Sequence, residues 1–161
     1  MSKALYPGSF DPMTLGHLDI IERSSKLFEH VYIGTINNVN KKSLFTIEER
    51  QAFLVEATQH LPNVSVISFD GLSVEAAKAH EANVLIRGLR AISDYEYELQ
   101  LASTNLHIAP NIETLFLMAR TEYSYVSSSL VKEIASYHEN VTSFTTETVA
   151  KALTAKYRKD E

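Results

Sequence analysis

The stretch PGSFDPMTLGH, residues 7–17, separates a short apolar piece, Ala4-Leu5-Tyr6, from an amphipathic run that begins at Leu18. Pro7-Gly8 is expected to end a first strand, with Gly8 letting the backbone turn without a Cβ. Ser9 then offers a hydroxyl and a backbone N–H at the strand's edge. Gly16-His17 opens a first helix, where free N–H groups and the positive dipole end attract phosphate. Gly16 lets a ligand approach the backbone, and His17 can aim a donor at a phosphoryl oxygen. Taken alone, the pair also reads as a plain turn and helix cap, so the rest of the chain has to decide.

Outward from this stretch, two periods alternate. Short apolar, β-branched runs occur at Val31-Tyr32-Ile33, Val64-Ser65-Val66-Ile67, Val84-Leu85-Ile86 and Thr114-Leu115-Phe116-Leu117. Between them lie stripes with helical spacing. Leu18, Ile21, Ser25 and Phe28 form one. Ile47, Phe53, Leu54 and Ala57 form another, behind Thr46 and Glu49, which are spaced as a capping box. Val74, Ala77 and Ala82 are a weaker set. Ile92, Leu99, Ala102 and Leu106 mark a longer helix, and Leu130, Val131, Ile134 and Ala135 a further one. A last helix is expected over about 146–157, ahead of a charged, frayed end at 158–161. Strand and helix in alternation mean parallel pairing. The expected fold is a single α/β domain over 1–161, a doubly wound, Rossmann-like five-stranded parallel sheet with helices on both faces. Ligands of such sheets bind beyond the carboxyl ends of the strands, near the switch point, and the opening stretch lies there.

The totals exclude several classes. The 161 residues contain no cysteine, which removes disulfides, thiolate metal sites and cysteine nucleophiles together. A chain of this length buries roughly 70% of its unfolded surface and needs no staple. The N-terminus lacks the apolar core of a signal peptide, and no apolar run approaches the ~18 residues of a membrane span, so a cytoplasmic protein is expected. Fifteen Lys+Arg against 20 Asp+Glu leave a net charge of -5, without a global pull on nucleic acid. Any cations that hold an anion must therefore be local. The five glycines form neither G-x-G-x-x-G nor a P-loop, and G-x-S-x-G and H-E-x-x-H are missing too. His30, His60, His80, His107 and His138 are scattered singly and read as surface residues.

Three further segments carry polar groups at expected loop edges. In LIRGLRAISDYEYELQL, Arg87 and Arg90 flank Gly88 after the fourth strand. A guanidinium suits phosphate through its planar fork of donors. Asp94 and Glu96 follow at a helix start, where carboxylates are favoured on structural grounds alone, whereas Tyr97 and Glu98 sit a turn further in. In YSYVSSSLVKEI, Ser127, Ser128 and Ser129 precede a helix, as caps or as a phosphate cradle. Lys41-Lys42 stands in the loop after strand two, either as solvated surface or within reach of an anionic substrate.

Thr14-Leu15-Gly16-His17 resembles the T/H-x-G-H signature of the nucleotidylyltransferase superfamily. The four segments together, PGSFDPMTLGH, NKKSLFTIEER, VLIRGLRAISDYEYE and SSSLVKE, resemble the phosphopantetheine adenylyltransferase family in order and spacing over nearly the whole chain. That resemblance implies a reaction of ATP with 4′-phosphopantetheine, giving dephospho-coenzyme A and pyrophosphate, with Mg²⁺ as cofactor. It implies that His17 stabilises the transition state, aided by Lys41 and Arg90. Ser9, Lys41, Leu72, Ser73 and Arg87 would hold the pantetheine substrate. Ser9, Phe10, His17, Gly88, Leu89, Arg90, Glu98, Tyr123, Ser124, Tyr125, Val126, Ser127, Ser128 and Ser129 would line the ATP site. No certain protein ligand for the metal follows; the ATP phosphates would carry it. Feedback binding of coenzyme A and a homo-hexamer are implied by the resemblance alone. Three departures stand out: Ser9 where many members have Thr, Ser73 where some have a larger apolar residue, and Ser43 where some have Pro.

The implied chemistry explains what is missing. A phosphate monoester has a second pKa near ~6 and is largely a dianion at neutral pH, so it needs no general base. Positioning and charge stabilisation must supply the catalysis. Two other readings stay open on sequence grounds. One is a nucleotidylyltransferase for another acceptor, such as nicotinate mononucleotide, glycerol phosphate or phosphocholine. The other is a silent adenine-nucleotide sensor.

Overall fold

The computed structural model describes residues 2–158. Five parallel strands, β1 (Lys3–Gly8), β2 (His30–Ile36), β3 (Val64–Phe69), β4 (Val84–Leu89) and β5 (Glu113–Met118), form one sheet in the order β3-β2-β1-β4-β5. The helices between them are α1 (Leu15–Ser25), α2 (Ile47–Ala57), α3 (Ser73–Ala79) and α4 (Ile92–Ile108). A 3₁₀ turn at Thr121–Tyr123 precedes α5 (Ser128–Ser136) and α6 (Glu147–Arg158). Every expected strand and helix is present. Arg158 closes α6 rather than opening a frayed end, and the rest of that expected end, 159–161, lies outside the described residues.

Strand alternation sends consecutive side chains into two cores. Ala4, Tyr6, Ile33 and Ile86 pack with Ile20 and Ile21 of α1, Leu54 of α2, Val131 of α5 and Leu153 of α6. Leu5 and Leu85 point the other way, onto Val74, Ala76 and Ala77 of α3 and onto Ala109 and Ile112 just past α4. The chain therefore leaves β1 toward one face of the sheet and enters β4 from the other. These two strands are neighbours, and their carboxyl ends form the switch point.

Two local expectations need correction. Gly8 does not make the first turn: Pro7 and Gly8 are the last residues of β1, registered with Gly34 and Thr35 of β2. The left-handed residue is Phe10, at φ 48°, followed by a cis Asp11-Pro12 bond. At Gly8 a different constraint applies: a Cβ there would lie 3.0 Å from the Phe10 ring, closer than an ordinary contact, so the ring would have to give way. Likewise Arg87 and Gly88 do not follow the fourth strand but belong to it, with Gly88 registered against Leu117.

Candidate active site

A cavity of about 330 Å³ opens at the switch point. Tyr6, Pro7 and Gly8 line it from β1, and Arg87, Gly88 and Arg90 from the end of β4. Phe10, Thr14, Gly16 and His17 add the opening stretch, while Tyr123 and Val126 to Ser129 add the approach to α5. Three of the four sequence segments thus converge on one space.

His17 is held in a defined state by the helix it starts. Thr14 is the N-cap: its Oγ1 accepts the His17 N–H at 3.2 Å. In return the Thr14 N–H donates to His17 Nδ1 at 3.0 Å. This is a capping box with histidine in the place usually taken by Glu or Gln. An Nδ1 that accepts carries no proton, so the neutral ring bears its proton on Nε2. Burial, and after it the charges of Arg90 and Arg87, lower the His17 pKa to about 4. The ring is therefore neutral at physiological pH. The Phe10 ring meets it edge-on at 4.9 Å, and Tyr6 lies 6.4 Å away. What His17 offers the cavity is a fixed hydrogen-bond donor rather than a positive charge.

The two arginines are tethered before any ligand arrives. Arg87 donates from Nε and Nη2 to Glu98 at 2.8 and 2.6 Å, and from Nη1 to the Pro7 carbonyl at 3.1 Å. Glu98 is buried on α4, so this bidentate pair fixes the fork and neutralises a carboxylate inside the site. Arg90 donates from Nη1 to the Val126 carbonyl at 3.1 Å and pairs through Nε with Asp94 at 3.3 Å. Arg90 thereby joins the second segment to the third. Asp94, whose position at a helix start is explained by structure alone, also lines the cavity as the partner of Arg90.

The serine segment caps a helix and also faces the cavity. Ser127 caps α5, its Oγ accepting the Leu130 N–H at 3.1 Å. Ser128 donates to the Pro12 carbonyl at 2.7 Å and binds the helix start to the opening stretch. All three serines still line the cavity. A helix N-terminus facing two arginines and a neutral histidine donor is suited to a chain of phosphates.

The remaining predicted residues do not line this cavity. Lys41 lies exposed in the loop after β2. Leu72, the N-cap of α3, is exposed, and Ser73 opens that helix beyond the end of β3. Ser9 stands between two lining residues and contributes its carbonyl to Arg50. Leu89 is buried at the end of β4, its carbonyl accepting the Ala119 N–H at 2.7 Å. Ser124 bonds back to Thr121, and Tyr125 is exposed against Phe144.

Sequence reading missed three charged residues around the site. Asp11 is buried, accepts the Leu44 and Phe45 N–H groups and pairs with Lys132. Its partners lie 33, 34 and 121 positions away, so no local pattern announces them. Arg50 is buried too, and donates from Nη1 to the carbonyls of Ser9 and Ile36. Here a signal existed: position 50 falls on the apolar stripe of α2 with Ile47, Leu54 and Ala57, where an arginine calls for an explanation.

The chain matches the cytidylyltransferase-like family model over residues 5–134. It is 51% identical over 150 residues to phosphopantetheine adenylyltransferase of Synechococcus elongatus, covering 93% of this chain and 90% of the relative. It is 50% identical over 157 residues to the enzyme of that name from Alkaliphilus oremlandii, covering 98% of this chain and 100% of the relative. A solved structure described as a putative nicotinate-nucleotide adenylyltransferase from Vibrio parahaemolyticus superposes with a TM-score of 0.72 at 18% identity, over 98% of this chain and 96% of that one. This last likeness speaks for the fold. With half of its residues shared over nearly the full length of both relatives, the chain belongs to the phosphopantetheine adenylyltransferase family, within the cytidylyltransferase-like proteins.

Proposed function

We propose that the cavity transfers the adenylyl group of ATP to 4′-phosphopantetheine, as the membership of the family implies. A phosphate oxygen of the acceptor attacks the α-phosphorus of ATP. The bond from that phosphorus to the bridging oxygen of the β-phosphate breaks. Dephospho-coenzyme A and pyrophosphate leave, and no covalent enzyme intermediate or general base is needed. The observation that carries the proposal is His17: a neutral ring with its proton on Nε2, beside two arginines and a helix N-terminus. Charge that builds on the α-phosphoryl oxygens meets a donor already in place, which is how preorganised donors lower a barrier. Arg90 and the serine segment would hold the phosphate chain of ATP. Arg87, with Lys41, Ser73 and Ser9, would hold the acceptor.

Magnesium belongs to the same proposal, and the donor set fits a particular mode of binding. The cavity's carboxylates, Asp94 and Glu98, are both engaged by arginines. The lining thus offers cations and N–H donors to phosphates, and Mg²⁺ would arrive on the phosphates of ATP, keeping several waters. When bound it would offset phosphate charge along the line of displacement.

Coenzyme A itself differs from the product by one phosphate, so the same cavity is the place where it would compete as a feedback inhibitor. Self-association, as the hexamer the family resemblance implies, is supported by α4. Of its 17 residues only Glu98 and Asn105 are buried, while Ile92, Tyr95, Tyr97, Leu99, Leu106 and Ile108 are exposed, as are Leu115 and Met118 on the neighbouring β5. Among the described residues no helix is long and apolar enough to cross a membrane. A cytoplasmic location, where ATP is abundant, completes the proposal.

The test is pyrophosphate release from Mg·ATP with 4′-phosphopantetheine, nicotinate mononucleotide and glycerol 3-phosphate supplied separately. Release with the first alone, with dephospho-coenzyme A among the products, is expected. Release only with another acceptor would keep the role of His17 and overturn the substrate. ATP binding without release would favour a sensor.

A further inference from the structure

Both feet of the loop that carries Lys41 are held by the opening stretch, and two buried charges do the holding. At the outgoing foot, Arg50 Nη1 bridges the Ile36 carbonyl at 3.1 Å and the Ser9 carbonyl at 2.8 Å. At the returning foot, Asp11 accepts the Leu44 and Phe45 N–H groups, each at 2.9 Å, one on each carboxylate oxygen. Between the feet the chain turns on itself, with the Asn40 and Lys41 N–H groups bonded back to Asn38. Residues 38–42 are exposed. Core packing alone would not call for either charge. Arg50 is 4% exposed, has no carboxylate partner among the described residues, and leaves its Nε without a hydrogen bond. A leucine or methionine would fill the α2 stripe at lower desolvation cost.

We propose that Asp11 and Arg50 are positioning residues for the acceptor: they hold Ser9 and the Lys41 loop in one register, so that the lysine reaches the acceptor at a fixed place. The proposal rests on the reading of Lys41 as an acceptor-binding residue. The nucleotide side meets this clamp only through Ser9, whose carbonyl Arg50 holds, because the start of α5 has ties of its own. Ser128 bonds to the Pro12 carbonyl, and Arg90 to the Val126 carbonyl. Asp11 also reaches α5 through Lys132 at 3.2 Å, but at its second turn rather than at the serines.

The experiment is a cycle of Asp11→Asn, Lys41→Ala and the double variant, with kcat, both KM values and the melting temperature measured for each. Asparagine keeps one carbonyl oxygen and loses the other acceptor. Asp11→Asn is expected to raise KM for 4′-phosphopantetheine roughly tenfold, the scale of a modest misplacement, and to leave KM for ATP within about twofold. In the double variant the acceptor KM should equal that of Lys41→Ala, because Asp11 acts on the acceptor through the lysine while Ser9 keeps its own tie to Arg50. Multiplying effects, an equal rise in both KM values, or an unchanged acceptor KM in Asp11→Asn would overturn the proposal. An unchanged acceptor KM in Lys41→Ala would instead overturn the reading of Lys41, and the route through it. If Asp11→Asn does not fold, Arg50→Lys decides at the other foot. It keeps the charge, gives up the guanidinium fork, and should show the same selective rise. An Arg50→Lys enzyme with both KM values unchanged overturns the proposal.

Discussion

The cavity between β1 and β4 and the loop after β2 sit at the same edge of one sheet, but they are built differently. In the cavity the imidazole, both guanidiniums and two of the serines have protein partners that fix their direction. Thr14 holds His17, Glu98 holds Arg87, Asp94 and Val126 hold Arg90, and the start of α5 is capped and tied. In the loop, Lys41 is exposed, and only the feet are fixed. Groups that act on the reacting phosphorus gain from being immobile before the substrate arrives. A lysine in the acceptor-binding role proposed for Lys41 would order on binding, at a cost of side-chain entropy.

The largest effect should come from the most rigid group. Replacing His17 by Ala removes the donor and is expected to lower kcat by roughly 10²–10³-fold, by analogy with the loss of an oxyanion donor. Stability should fall only by about 1 kcal/mol, the usual value of one cap. Turnover near that of the unaltered enzyme would take His17 out of the chemistry.

Arg87→Ala separates binding from architecture. The substitution removes a candidate acceptor contact, and it also leaves Glu98 buried without its partner. Loss of one half of such a pair costs about 3–5 kcal/mol. The single variant should therefore melt markedly lower and bind 4′-phosphopantetheine weakly. The Arg87→Met, Glu98→Leu double variant should regain most of the stability and none of the binding. A double variant that recovered the acceptor KM would show that the arginine acts only through the fold. Lys41→Ala provides the contrast. Its melting temperature should not move, because the side chain is exposed, while the acceptor KM rises roughly tenfold through loss of a charge-assisted contact.

These differences also explain what could be read in the chain beforehand. Four of the five strands announce themselves as apolar, β-branched runs and the first as the short apolar piece Ala4-Leu5-Tyr6, and Thr46 with Glu49 forms the capping box that their spacing indicates. Such features depend on residues a few positions apart. The clustering of three motifs at the switch point follows from the strand order β3-β2-β1-β4-β5, which the alternation of strands and helices permits but does not choose. What stayed hidden depends on partners brought together by folding. Arg87 and Glu98 are each visible, but not their bond. Asp11 serves the returning foot of a loop more than thirty positions away. Arg50 stands on the buried stripe of α2, but its partners, the Ser9 and Ile36 carbonyls, are brought to it by folding. The turn at Phe10 was hidden for a local reason: the glycine at 8 drew the expectation of the turn, and a phenylalanine that packs edge-on with Tyr6 and His17 took the left-handed conformation instead.

The state of His17 is isolated by a pH dependence rather than by a rate. Its pKa is about 4 in the folded chain, below the usual histidine value of 6.5. Below pH 6.5 the unfolded chain therefore binds a proton that the native chain refuses until about pH 4. Linkage then makes stability fall as the pH drops through that window, with nothing lost above it. His17→Gln keeps a neutral acceptor at the third position of the capping box and has no proton to take. Melting temperatures measured from pH 7 to pH 4 should therefore converge, the gap between the unaltered protein and His17→Gln changing in favour of the variant as the pH falls. Parallel curves would mean that the ring protonates normally in the fold. In that case the fold would not hold Nδ1 as an acceptor against protonation, and below about pH 6.5 the cavity would be offered a charge rather than a neutral donor.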